Sequence, residues 1–195
     1  MTRMLKAGLV ALALCLAIPV GYIGYMRATD NFGVVRAGVV YRSWQPSAAD
    51  LARFAETYGR GSVINLRGAA PGRDWYDEEK AAVAEHGLTL IDFKMSATKA
   101  LSPERAQALV TLIAQAPKPV LIHCKAGADR SGLASALYLY AVGDLPADEA
   151  ARALSLAHGH FPWLGSRTAA MGASFDAFVA QRHPRDIQNR DLALR

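Results

Sequence analysis

The stretch PVLIHCKAGADRSGLASALYLY, residues 119–140, limits the possible folds of this 195-residue chain more than any other. PVLIHC is apolar almost without a break and offers water no polar face. It therefore reads as a strand buried on both sides, the kind found inside parallel sheets. SGLASALYLYAV, residues 131–142, reads as a buried helix. A buried strand and a buried helix joined by one short glycine-containing loop are the repeating unit of an α/β sheet.

The rest of the chain alternates in the same way. GVVYRS (38–43) is a strand by its β-branched and aromatic content. Ser47 caps a helix in which Leu51, Phe54, Ala55 and Tyr58 recur at helical spacing. SVINLRG (62–68) is a second strand, closed by Gly68 and the turn-rich AAPGR. DWYDEEKAAVAEHG (74–87) is a helix with Asp74 as its cap, acids in its first turn and Gly87 at its end. LTLIDFKM (88–95) is a third strand. SPERAQALVTLIAQ (102–115) is a helix with Ser102 as cap, Pro103 at its first position and an apolar stripe of Ala106, Leu109, Val110 and Ile113. Two further helices are expected over about 146–157 and 166–182. There is no internal repeat and no low-complexity stretch. The pattern predicts an α/β domain over 31–182, a central and mainly parallel sheet flanked by helices, followed by a basic tail at 183–195. With PVLIHC at the centre of the sheet, Cys124 falls at the carboxyl end of the central strand, where such sheets bind their ligands.

The loop after that strand has a definite chemistry. Backbone N–H groups at a strand-to-helix junction make an anion cradle. Gly127 lets the backbone come close. Arg130 offers a planar fork that matches two phosphate oxygens. A cysteine at the centre of such a cradle feels the helix dipole and the arginine, so its thiolate persists at neutral pH and faces a bound phosphate as a nucleophile. The Ser131 hydroxyl can hydrogen-bond that thiolate and help it leave.

The run His123-Cys124-Lys125-Ala126-Gly127-Ala128-Asp129-Arg130-Ser131-Gly132 resembles the signature loop of the cysteine-dependent protein tyrosine phosphatases, in their dual-specificity-like bacterial branch. VVYRSWQPS and VINLRG, ahead of the signature, extend the resemblance to about residues 38–142. It implies a protein tyrosine phosphatase-like fold and a two-step reaction without metal or other cofactor. Cys124 is the nucleophile. Arg130 and the backbone of Lys125, Ala126, Gly127, Ala128 and Asp129 hold the phosphate, and Ser131 assists the second step. Relatives usually draw a general acid from the loop after the preceding strand, but MSATKALSP holds no Asp or Glu. Two candidates remain: Asp129, which occupies a position used in lipid-phosphatase relatives, and Asp92, in the preceding strand. Their plain readings are an Asp that orients Arg130 or caps a helix, and a polar strand residue. Lys125 matches relatives that take highly phosphorylated substrates, or is an exposed lysine. Arg67 opens on the same sheet edge as a substrate-side candidate. Ser43 to Pro46 line the mouth, with Trp44 where relatives often carry glycine, a departure that bears on substrate shape. His158 and His160, with no third ligand in view, read as ordinary polar residues and not as a metal site.

Cys15 and Cys124 are too few for a disulfide framework, and Cys15 in an apolar segment cannot serve the further thiols that arsenate reduction needs. The formal charge of +5 fits an acidic substrate, an anionic membrane surface or a solvated tail, and no aromatic-plus-basic motif points to nucleic acid. At the N-terminus, Arg3 and Lys6 precede an uncharged run, residues 7–26, long enough to cross a bilayer although interrupted by Pro19 and Gly21. No small-x-small cleavage site follows it. Residues 1–30 are therefore expected as a single-pass anchor in a bacterial inner membrane, with the catalytic domain in the periplasm and Tyr22 and Tyr25 at the outer interface. The alternative is a cleaved signal and secretion to the periplasm. Three functions follow: phosphatase on phosphoproteins, phosphatase on a membrane lipid phosphate (phosphoinositide- or phosphatidylglycerophosphate-like), and a non-catalytic phosphate-binding module.

Overall fold

The computed structural model describes residues 3–182. Its strands are β1 Gly33–Arg36, β2 Val40–Ser43, β3 Ser62–Asn65, β4 Thr89–Asp92 and β5 Val120–His123. They form one sheet in the order β1-β2-β5-β3-β4. β2, β5, β3 and β4 run parallel, and β1 is antiparallel to β2. The helices are α1 Arg3–Ala28, α2 Ala48–Tyr58, α3 Asp74–Glu85, α4 Pro103–Gln115, α5 Asp129–Ala141, α6 Ala147–Ala151 and α7 Ala169–Arg182. The α/β class, the mainly parallel sheet and the central place of the PVLIHC strand are as the sequence predicts.

Side chains alternate across the strands, so the sheet has two apolar faces. Val40, Ile64, Val120 and Ile122 belong to the core shared with α4, α5 and α7. Tyr41, Val63 and Leu121 belong to the smaller core under α2 and α3. Two helix starts form as read. Ser47 and Asp50 make a reciprocal capping box, and Ser102 Oγ accepts from Arg105 N with Pro103 behind it. α3 starts differently: Arg73 holds the cap position without a side-chain bond, and Asp74 is the first helical residue, where its charge still faces the positive end of the helix.

Other differences have physical reasons. β1 lies ahead of the first strand expected from sequence; it is an edge strand whose residues alternate between half-buried and exposed. The helix expected over 146–157 ends at Ala151: the N–H groups of Arg152, Ala153 and Leu154 donate to carbonyls three residues back, and the Ala153 carbonyl just beyond accepts from Arg42. A 3-10 turn, Leu156–His158, follows and closes on Gly159 in the left-handed region (φ 82°). α7 begins at Ala169, after a turn in which Thr168 N donates to Ser166 Oγ. The tail at 183–195 lies outside the described residues.

The N-terminal reading requires correction. The last two turns of α1 belong to the globular fold: Met26 is buried, and the Tyr22 hydroxyl donates to the Leu156 carbonyl instead of sitting at a lipid interface. Pro19 lies inside the helix. Among the described residues, no helix is long and apolar enough to cross a membrane. This overturns the single-pass anchor through residues 7–26, and with it the inner-membrane placement of a periplasmic domain.

Candidate active site

β5 ends at His123, and α5 begins at Asp129, two residues before the start read from sequence. The four residues after Cys124 must therefore turn sharply. Gly127 makes the turn at φ 63°. A Cβ there would lie 2.7 Å from Trp44 N and 2.8 Å from the Ser43 carbonyl carbon, so the end of β2 presses directly on the loop. Lys125 and Ala126 form the exposed lip, and Ala128 is buried.

Cys124 is buried at the base of the loop. Burial pushes its thiol up, but the Arg130 guanidinium, the N–H and hydroxyl of Ser131 and the N–H of Ala126 together outweigh it and hold the thiol below its ordinary value. The Ser131 Oγ lies 3.7 Å from Sγ. Arg130 is half-buried; its Nη1 makes one long contact, 3.5 Å, to the Leu66 carbonyl, and its Nε is buried without a partner. Its guanidinium thus has donors to spare beside the sulfur, and these donors suit a phosphate. The structure brings Cys124, Arg130 and Ser131 together.

The two acid candidates are separated by their surroundings. Asp92 accepts from Asn65 Nδ2 (2.8 Å) and from the Tyr76 hydroxyl (2.6 Å), which is pushed up to about 12 chiefly by that bond. Both carboxylate oxygens are engaged in holding β4 to its neighbours. Asp129 stands in the first turn of α5, half-buried, with Oδ1 2.8 Å from His160 Nδ1. His160, read as an ordinary polar residue, is buried against that carboxylate. His158 is pushed below its usual value by burial and by Arg42, and its carbonyl accepts from Asn31. Among the described residues no group of three or more His, Cys, Asp or Glu could hold a metal.

Arg67 lies where the sequence put it, at the carboxyl edge of β3. Its guanidinium carbon is 3.3 Å from the centre of the Trp75 ring, and Nη1 donates to Gln45 Oε1 (2.7 Å). Gln45 Nε2 in turn donates to Glu79, whose other oxygen lies 2.5 Å from His123 Nε2, off the line a hydrogen bond requires. Burial, and next the repulsion of Arg130, depress the Arg67 guanidinium, so the two cations share one mouth.

Sequence reasoning missed the residues behind the loop. Arg42 is only 2% exposed. Its Nη2 donates to the carbonyls of Gly127 (2.7 Å) and Ala128 (3.0 Å), and its Nη1 to that of Ala153 (2.7 Å). Asn31 Nδ2 donates to the carbonyls of Ala126 (3.0 Å) and His158 (2.9 Å). The signal was present in YRS and DNF, but a side chain that bonds distant backbone leaves no spacing to read.

Comparison with known proteins gives the family and the fold. Residues 23–151 match the tyrosine phosphatase family. A Cupriavidus necator protein, named provisionally as a tyrosine-protein phosphatase, is 32% identical over 138 residues, 56% of this chain and 50% of that protein. The chain thus spans about half the length of this curated relative. Among solved structures, Pseudomonas aeruginosa TpbA superposes with a TM-score of 0.60 at 18% identity, covering 80% of this chain and 93% of TpbA. PTPMT1 superposes at 0.57 and 18%, covering 77% and 98%. A Cys-to-Ser variant of TpbA was solved with phosphotyrosine, and PTPMT1 with the phosphoinositide PI(5)P. These two likenesses are of fold. The family match spans the sheet, the cysteine loop and α5, and on that ground this chain belongs to the tyrosine phosphatase family.

Proposed function

We propose that this protein is a cysteine-dependent phosphomonoester hydrolase acting on phosphoproteins. The observation that carries the reading is a buried cysteine whose thiol is held below its ordinary value, beneath a loop whose arginine has free donors. In the first step, Cys124 Sγ attacks phosphorus and the bond to the leaving oxygen breaks, with Asp129 giving that oxygen its proton. In the second step, water attacks the phosphocysteine, Asp129 takes a proton back, and Sγ leaves with help from the Ser131 hydroxyl. Arg130 and the loop N–H groups hold the equatorial oxygens most tightly as charge spreads in the transition state. The relative's name and the phosphotyrosine complex of TpbA favour a phosphoprotein substrate.

A second reading, a lipid phosphate, rests on separate observations. Lys125 is exposed on the lip, Arg67 shares the mouth with Arg130, and PTPMT1, of similar fold, was solved with PI(5)P. A mouth with two guanidiniums suits a substrate that carries a second anionic group.

The test is turnover of para-nitrophenyl phosphate with inhibition by vanadate. Cys124→Ser should abolish it; activity that survives removes the mechanism, and a wild-type protein that binds phosphate without turnover is a non-catalytic module. A panel of phosphopeptides against phosphoinositides in mixed micelles separates the two substrate readings by kcat/KM. Asp129→Asn should lose most activity on alkyl phosphates and little on aryl phosphates, whereas Asp92→Asn should not discriminate between them.

A further inference from the structure

Three consecutive carbonyls of the cysteine loop are tied down from behind. Asn31 takes Ala126 O, and Arg42 takes Gly127 O and Ala128 O. A trans peptide is planar, with its N–H opposite its C=O. Fixing these carbonyls turns the N–H groups of Gly127, Ala128 and Asp129 the other way. The N–H groups at either end of the loop, Ala126 and Ser131, already point at Cys124 Sγ. The three peptides from Ala126 to Asp129 are thereby aimed at the space over the sulfur.

The niche that Arg42 occupies is built for it. A Cβ on Gly33 would lie 3.2 Å from Arg42 Cγ, so this glycine leaves room for the arginine stem, and Gly132 packs beside Arg42 Nη2 in ordinary contact, its added Cβ at 3.4 Å. Burial lowers Arg42 to about 10, with Cys124 and Asp129 opposing, so it remains a cation at neutral pH beneath an anion site.

We infer that Arg42 and Asn31 are positioning residues that orient the loop peptides into a phosphate cradle before the substrate arrives. Neither residue touches substrate; both act through the backbone. The cradle is then preorganised, so phosphate binding need not reorient the peptides. This inference rests on the phosphatase reading, because it takes the loop to be a phosphate site.

The experiment measures inorganic phosphate binding by calorimetry and vanadate inhibition in the full chain, beside thermal melting and the pH profile of Cys124 alkylation by iodoacetate. Arg42→Lys keeps the charge but loses the fork that spans three carbonyls. It should weaken phosphate and vanadate by about tenfold or more, while the alkylation midpoint stays near wild type, because Arg130 and Ser131 are untouched. Asn31→Ala should weaken the same ligands by a smaller factor, and it decides the question if Arg42→Lys does not fold. A merely structural role would lower the melting temperature and leave anion affinity intact. Folded variants that bind phosphate as wild type does overturn the inference. A wild-type protein that binds neither anion overturns the phosphatase reading, and this inference with it.

Discussion

A methyl group at position 127 has nowhere to go. The backbone there is left-handed, and the nearest atoms are backbone of Ser43 and Trp44, which cannot swing aside as a flexible side chain would. Gly127→Ala should therefore cost about 1–3 kcal/mol of stability, read as a lower melting temperature, and should displace the loop enough to reduce kcat/KM by about 100-fold. The thiol makes a second prediction at this scale. Because Arg130 and the Ser131 groups hold Cys124 low against its burial, alkylation by iodoacetate should have a midpoint below the ordinary cysteine value, and Arg130→Ala should raise it. The sign for stability follows: a depressed thiol favours the folded state above the unfolded value, and that contribution fades as pH falls through the folded one. The identities in HCKAGADRSG were legible because this chemistry needs those residue types at that spacing. Arg42, Asn31 and Glu79 were not, since their contacts lie 34 to 127 residues away and a lone Glu on a helix looks like a solvated face.

β5 and β1 mark the two ends of what a strand can contribute. Every residue of β5 is buried, and Ile122 sits in the larger core between β2 and β3. Ile122→Ala should cost about 2–5 kcal/mol. Val34 in β1 is 58% exposed on the sheet edge, and Val34→Ala should stay within about 0.5 kcal/mol. Urea denaturation of both variants checks the contrast. The same difference decided legibility. An unbroken apolar run announces a central strand, and Ser47 and Ser102 announce helix starts through bonds to their own first turn. β1 carries no such mark, because an edge strand is specified by its partner. The helix after Pro146 is shorter than its sequence suggests: its last N–H groups bond three residues back, and the Ala153 carbonyl past its end is held by a tertiary bond from Arg42.

Two layers of helices enclose the sheet, and among the described residues the N-terminal helix meets the domain at its end. Side chains of α1 described from Leu9 to Val20 are exposed, whereas Tyr22, Met26 and the following Asn31 contact the domain. Deleting residues 2–20 should leave phosphate affinity unchanged, and deleting residues 2–31 should weaken it; calorimetry on both shortened chains reads the difference. The same long-range wiring affects how the sequence can vary. A Cβ at Gly33 would lie 3.2 Å from both Arg42 Cγ and His158 Cε1, the latter from a loop far along the chain. Replacing Arg42 with alanine removes one of these two close neighbours. Gly33→Ala should then cost less in the Arg42→Ala background than in the native one, a non-additivity that a double-mutant cycle measures directly. Substitution tolerance at these positions is therefore a property of the set, and a change at any one of them alters which residues the others can accept.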